Sequence, residues 1–195
     1  NRWVAEQASR HPCIIPFGSL IASSPALEQD LQEVLDLGLH GVKIHPVLQH
    51  LDILSPEAHA LWSLLEEASL PVVLDSMCVE GLGRYKPHLR GFVEAARAFE
   101  TGPERIAEMA RLHPGLSVVA AHTGSLFGWD ALDDLYPLSN VYFDLSFTSG
   151  ILPDEDVVRA IQEKGAERVL FGTDTPWRSP TRERIWFEGL PLDDG

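Results

Sequence analysis

Four polar side chains stand at the ends of short apolar runs: His45 after 42–44, Asp75 after 72–74, His122 after 118–121 and Asp174 after 169–173. In parallel α/β folds, catalytic groups sit at the carboxyl ends of strands. An ionised carboxylate in such a place is costly without a cation or hydrogen-bond donors beside it. Imidazole and carboxylate together suit zinc, manganese or iron, and such an ion makes bound water nucleophilic near neutral pH. On this reading Asp174 binds the metal and takes a proton from the water, while His122 orients the water or stabilises developing negative charge. Each residue also has a structural reading. Asp174 and His122 suit turns, His45 precedes Pro46, Lys43 can snorkel or pair with a core carboxylate, and Asp144 can make structural hydrogen bonds.

Those residues need strands to carry them, and the sequence predicts six: 13–20, 41–45, 71–75, 117–122, 140–146 and 168–172. Pro16 blemishes the first. Between them, helices are predicted from Ser24-Pro25 to Leu37, from Ser55-Pro56 to about Ala68, over 103–112, over 129–135 and over 153–164. Residues 77–101 read as a long irregular stretch, and no clear helix follows the last strand. Side-chain alternation puts Lys43 with His45, Val73 with Asp75, Val118 and Ala120 with His122, and Gly172 with Asp174 on shared faces. Six strand–helix units imply a parallel sheet. No Gly-x-Gly-x-x-Gly turn follows a strand, which weakens a dinucleotide-binding sheet. Polar groups converging from several strand ends favour a (β/α)8 TIM barrel, which needs about eight strands and about 250 residues. Residues 1–195 therefore read as one partial barrel domain, strands 3 to 8, truncated at both ends.

Composition excludes several classes. The net charge of -14 opposes nucleic-acid and anionic-membrane binding. No run approaches a membrane span. Cys13 and Cys78 are the two cysteines, which fits a reducing cytoplasm rather than a disulfide scaffold. In this acidic chain the cations of 83–90, Arg84 among them, stand out as a lure for a carboxylate-bearing substrate. Trp177 and Arg178 follow Asp174 closely enough to line the same mouth.

The strings Gly41-Val-Lys-Ile-His-Pro46, Pro71-Val-Val-Leu74, Ala121-His-Thr-Gly124, Asn140-Val-Tyr-Phe-Asp144 and Phe171-Gly-Thr-Asp-Thr-Pro-Trp177 resemble, in order, the amidohydrolase-related TIM-barrel metal-dependent hydrolases. That family also contains aminocarboxymuconate-semialdehyde and resorcylate-type decarboxylases. The resemblance implies that Asp174 is a metal ligand and that His122 acts on water or substrate. It places Asp75 where the family has a metal-binding histidine, so Asp75 becomes a second candidate ligand through oxygen. The family's first-strand His-x-His pair has no counterpart here. His45, Lys43, Trp177 and Arg84 complete the expected site as substrate-binding residues. The cofactor implied is a divalent metal, zinc first, with manganese or iron as alternatives. Relatives often form dimers. The leading expectation is an enzyme that attacks an amide, ester or lactone with metal-activated water. Two alternatives stand beside it: non-oxidative decarboxylation of a small unsaturated or aromatic acid on the same site, and a non-catalytic binding relative with a degenerate metal site.

Overall fold

The computed structural model describes residues 1–192. In chain order it contains helices α1 (Arg2–Arg10) and α2 (Leu27–Asp36), strand β1 (Val42–Ile44), helices α3 (Pro46–Gln49) and α4 (Pro56–Glu67), strand β2 (Val72–Leu74), and helices α5 (Val79–Tyr85), α6 (Arg90–Ala96) and α7 (Pro103–Leu112). Strands β3 (Val118–Ala120) and β4 (Val141–Asp144), helix α8 (Asp154–Lys164), strand β5 (Val169–Leu170) and helix α9 (Pro180–Glu188) follow. The five strands form one parallel sheet in sequence order. This is an arc of a (β/α)8 barrel, with helices α2, α4 and α7 packed on its outer side.

Register explains the layering. Val42, Val72, Val118 and Val141 lie in one row across the sheet, and Lys43, Val73, Val119 and Tyr142 in the next. Pleating sends alternate rows to opposite faces. The first row, with Ile44, Leu74, Ala120 and Phe143, is fully buried and meets Leu31 and Val34 of α2, Leu61, Trp62 and Leu65 of α4, and Ile106 and Met109 of α7. Trp62 also donates its indole N–H to the Ile53 carbonyl at 2.9 Å. The second row faces the concave side, toward the strand ends that carry the polar groups.

Four sequence expectations need correction. The strand over 13–20 shrinks to one parallel bridge, Gly18 to Val42. Pro16 lacks an N–H for the ladder, and Cys13, Ile14 and Ile15 are exposed. The stretch 77–101 is not irregular; it holds α5, α6 and two short 3-10 turns. The helix over 129–135 is a 3-10 element, Trp129–Asp134, broken at Ala131. A helix does follow the last strand: α9 and the residues after it bring Trp186, Phe187 and Leu190 against Val157, Val158 and Ile161 of α8 and against Val169. Among the described residues no helix is long and apolar enough to cross a membrane.

Candidate active site

The strand ends open into one cavity of about 920 Å3, whose walls include Lys43, His45, Asp75, His122, Asp174 and Trp177. Five of these six are delivered directly by the sheet. Lys43 lies on β1 and His45 just beyond it. Asp75 follows β2, fixed by its N–H to the Ile44 carbonyl at 2.9 Å, and its own carbonyl accepts from the Thr101 hydroxyl at 3.1 Å. His122 follows β3, and Asp174 follows β5. Trp177 is carried by the loop beyond.

The route taken by His122 differs from simple alternation. Val118 and Ala120 face the helices, so a straight strand would send His122 away from the cavity. Instead the backbone turns left-handed at His122 (φ 60) and Thr123 (φ 55). Asp144 holds this turn: its Oδ1 accepts from the His122 N–H at 3.1 Å, and its carbonyl accepts from the Thr123 N–H at 2.6 Å. Gly124 follows at φ +86, where a Cβ would meet Leu132 Cδ2 at 2.8 Å and Phe143 Cε1 at 2.9 Å. Asp174 is likewise left-handed, at φ 55.

Asp75 is the electrostatic centre. Its carboxylate lies 3.6 Å from Lys43 Nζ, 3.5 Å from His45 Nε2 and 3.3 Å from His122 Nε2. Burial alone would raise its pKa, but the His122 hydrogen bond and the charges of Lys43, His122 and His45 outweigh it and bring the value from 3.8 to about 2. His122 responds in the opposite sense. Burial pulls its pKa down, yet the hydrogen bond and charge of Asp75, the charge of Asp144 and the Ser146 backbone together raise it above the ordinary 6.5. His45 goes the other way: burial, Lys43 and His122 lower it against the pull of Asp75. His45 Nδ1 accepts from the Leu48 N–H at 3.4 Å, so neutral His45 presents Nε2–H to Asp75. The result is a buried carboxylate facing three nitrogens, with His122 shifted toward its protonated form.

Arg84 does not join this group. It sits exposed on α5, and the same segment contributes Lys86 and His88 to the cavity wall instead. A helical turn separates faces by about 100° per residue, which the cluster of cations alone does not resolve. Arg178 lines the cavity with Trp177, as its place after Asp174 suggests, while Phe147 and Ser146 are additional to the expected set. Phe147 is edge-on to the His122 ring at 6.1 Å, and the Arg178 guanidinium covers the Phe147 ring at 4.6 Å. Ser146 carried a sequence signal, two residues beyond Asp144 at the end of the same strand.

The donor set does not fit a metal ligand role for Asp75. Its carboxylate is already paired with the Lys43 ammonium at 3.6 Å, a positive charge that would repel a second cation at that oxygen. Among the described residues no three His, Cys, Asp or Glu side chains are grouped to hold a metal ion.

The five-stranded parallel arc, with titratable groups at its strand ends, is part of a TIM barrel of the amidohydrolase kind. The amidohydrolase family model (Amidohydro_2) matches residues 1–194, and the chain belongs to that family. A gamma-resorcylate decarboxylase of Rhizobium radiobacter is 29% identical over 230 residues, covering 98% of this chain and 69% of the relative. An uncharacterised TIM-barrel protein of Bordetella bronchiseptica superimposes with a TM-score of 0.79 at 23% identity, covering 98% of this chain and 65% of that one. A dihydroxybenzoic acid decarboxylase of Polaromonas, solved with bound manganese and 2-nitroresorcinol, gives 0.73 at 19% identity over 98% and 68%. The chain thus spans roughly two thirds of the length of these relatives.

Proposed function

We propose that the protein is a non-oxidative decarboxylase of a small aromatic or unsaturated carboxylic acid, with dihydroxybenzoates the first acids to test. The observation that carries this reading is His122. It is 4% exposed, its pKa is raised, its Nε2 lies 3.3 Å from Asp75, and it lines the same cavity as Lys43 and Arg178. Decarboxylation of an aromatic acid needs a proton delivered to the carbon that bears the carboxylate. The C–C bond then breaks, its electron pair stays with the ring carbon, and CO2 leaves. Proton and carboxylate exchange places, so no oxidant or water is consumed.

The residues of this chain divide the work. Lys43 draws the substrate carboxylate. The apolar wall formed by Phe147 and Trp177 accepts the ring. His122 Nε2 delivers the proton, and Asp75 keeps the imidazolium populated and then stabilises its reprotonation. The hydrolytic reading expected from the sequence has less behind it, because the curated relatives are named as decarboxylases. A divalent ion, where bound, would supply Lewis acidity; Asp174, exposed at the cavity, is the carboxylate that would hold it, and no step here passes through it.

The test is direct. Purified protein incubated with 2,6-dihydroxybenzoate and related acids is expected to release CO2 in step with loss of the acid. Turnover of amide, ester or lactone substrates without any CO2 release from the acids would overturn the reading.

A further inference from the structure

We infer that Ser146 and Asp144 fix the tautomer of His122, making Nδ1 a permanent donor and Nε2 the one nitrogen that exchanges protons with the cavity. The catalytic consequence rests on the proposed function; the tautomer does not.

The argument is a count of protons and lone pairs. His122 Nδ1 lies 3.0 Å from the Ser146 carbonyl oxygen and 3.0 Å from the Ser146 hydroxyl oxygen. A carbonyl only accepts. The hydroxyl has one proton, and it is committed elsewhere: Ser146 Oγ donates to Asp144 Oδ1 at 2.5 Å. That carboxylate oxygen cannot return a proton, and it also accepts from the Ser146 N–H at 2.8 Å and the His122 N–H at 3.1 Å. Both oxygens facing Nδ1 therefore present lone pairs. A bare Nδ1 there would leave a buried acceptor against two acceptors, in a place where His122 is 4% and Ser146 5% exposed and water has little access. Protonated Nδ1 satisfies both. Nε2 has a single acceptor, Asp75 Oδ2 at the longer 3.3 Å, and that carboxylate also faces Lys43 and His45, so Nε2 is the nitrogen that gives up its proton.

Asp144 is thus a positioning residue. It does not line the cavity, and it acts through Ser146 and through the backbone turn at His122. Asp144→Ala breaks the logic selectively. It removes the acceptor of the Ser146 hydroxyl, which frees that proton toward Nδ1 and lets the other tautomer form, whereas Asp144→Asn keeps an acceptor oxygen facing the Ser146 and His122 N–H groups and leaves the tautomer unchanged. Ser146→Ala removes the hydroxyl but keeps the carbonyl acceptor. Ser146→Thr keeps both.

Two-bond 1H–15N correlation spectra of the histidine-labelled protein above neutral pH read the tautomer without any substrate. Neutral His122 is expected wholly as the Nδ1–H form in the unaltered protein, in Ser146→Thr and in Asp144→Asn, and as a mixture in Asp144→Ala. With a turned-over acid, Asp144→Ala should lower kcat roughly tenfold or more, within the range of a misplaced general acid, with little change in KM, and Asp144→Asn should keep most of the activity. An Nε2–H form in the unaltered protein would overturn the inference, as would an unchanged tautomer in a folded Asp144→Ala. Should Asp144→Ala fail to fold, the spectrum of the unaltered protein decides. If no acid is decarboxylated, the proposed function falls while the spectra still judge the tautomer.

Discussion

Replacing Asp75 with Asn is the most informative single change. It keeps the shape, removes the charge and leaves Lys43 at 3.6 Å and His122 at 3.3 Å without their counter-ion. A carboxyl pKa brought from 3.8 to about 2 corresponds to about 2 kcal/mol in favour of the folded protein at neutral pH. Asp75 is 8% exposed, so solvent screening takes little of this. The folded value is depressed, so the contribution is fully present above the unfolded value of 3.8 and is lost as pH falls toward about 2. Urea unfolding should show Asp75→Asn less stable by about 2 kcal/mol at pH 7, or roughly 5–8 °C in Tm for a chain of this size. The gap should narrow markedly at pH 3. In the same variant the His122 pKa, followed by NMR, should move down, because the largest influences raising it come from Asp75. A stability gap of equal size at both pH values, or an unmoved His122 titration, would refute the electrostatic account of the cluster.

Other consequences are simpler to state. Decarboxylation should decline on the alkaline side as pH rises through the raised His122 value, since the proton donor is then lost; a rate that climbs through that region would contradict its role. Elemental analysis should find the same metal content in Asp75→Asn as in the unaltered protein, and loss of metal on that change would restore Asp75 as a ligand. Gly124→Ala forces an L-residue to φ +86 with a Cβ 2.8 Å from Leu132, and should cost about 1–3 kcal/mol in denaturant unfolding. Trp62→Ala empties a fully buried site between α4 and the sheet and frees the Ile53 carbonyl, and should cost about 3–5 kcal/mol by the same measurement.

Much of this architecture is legible in the sequence because strand ends here are punctuated chemically. Pro46 and Pro71 bracket β1 and β2, and polar residues follow apolar triplets, so Lys43, His45 and Asp75 could be placed on the concave face by counting alone. The count fails at His122. Alternation assigns it to the face of Val118 and Ala120, and only the left-handed turn at 122 and 123 brings it back to Asp75. Non-glycine residues in that conformation leave little local signal, since the hydrogen bonds that hold them come from Asp144, 22 positions away. The strand over 13–20 fails for the opposite reason: its apolar residues suggest burial, yet Ile14 and Ile15 are exposed, and Pro16 interrupts the ladder. Helix α9 has a weak apolar stripe, and Trp186, Phe187 and Leu190 make sense only once α8 lies beside them. Arg84, Lys86 and His88 share one run of cations, and such a run does not say which way a short helix will turn.

The central claim is that His122 Nε2 delivers the proton that replaces the departing carboxylate. Turnover of 2,6-dihydroxybenzoate in D2O measures it most directly, with His122→Gln run alongside. The account predicts one deuterium at the vacated ring carbon, CO2 released in equal amount, and a kcat lower by about 10²–10⁴ in His122→Gln with KM little changed. Product formed at an undiminished rate by a folded His122→Gln protein would contradict it.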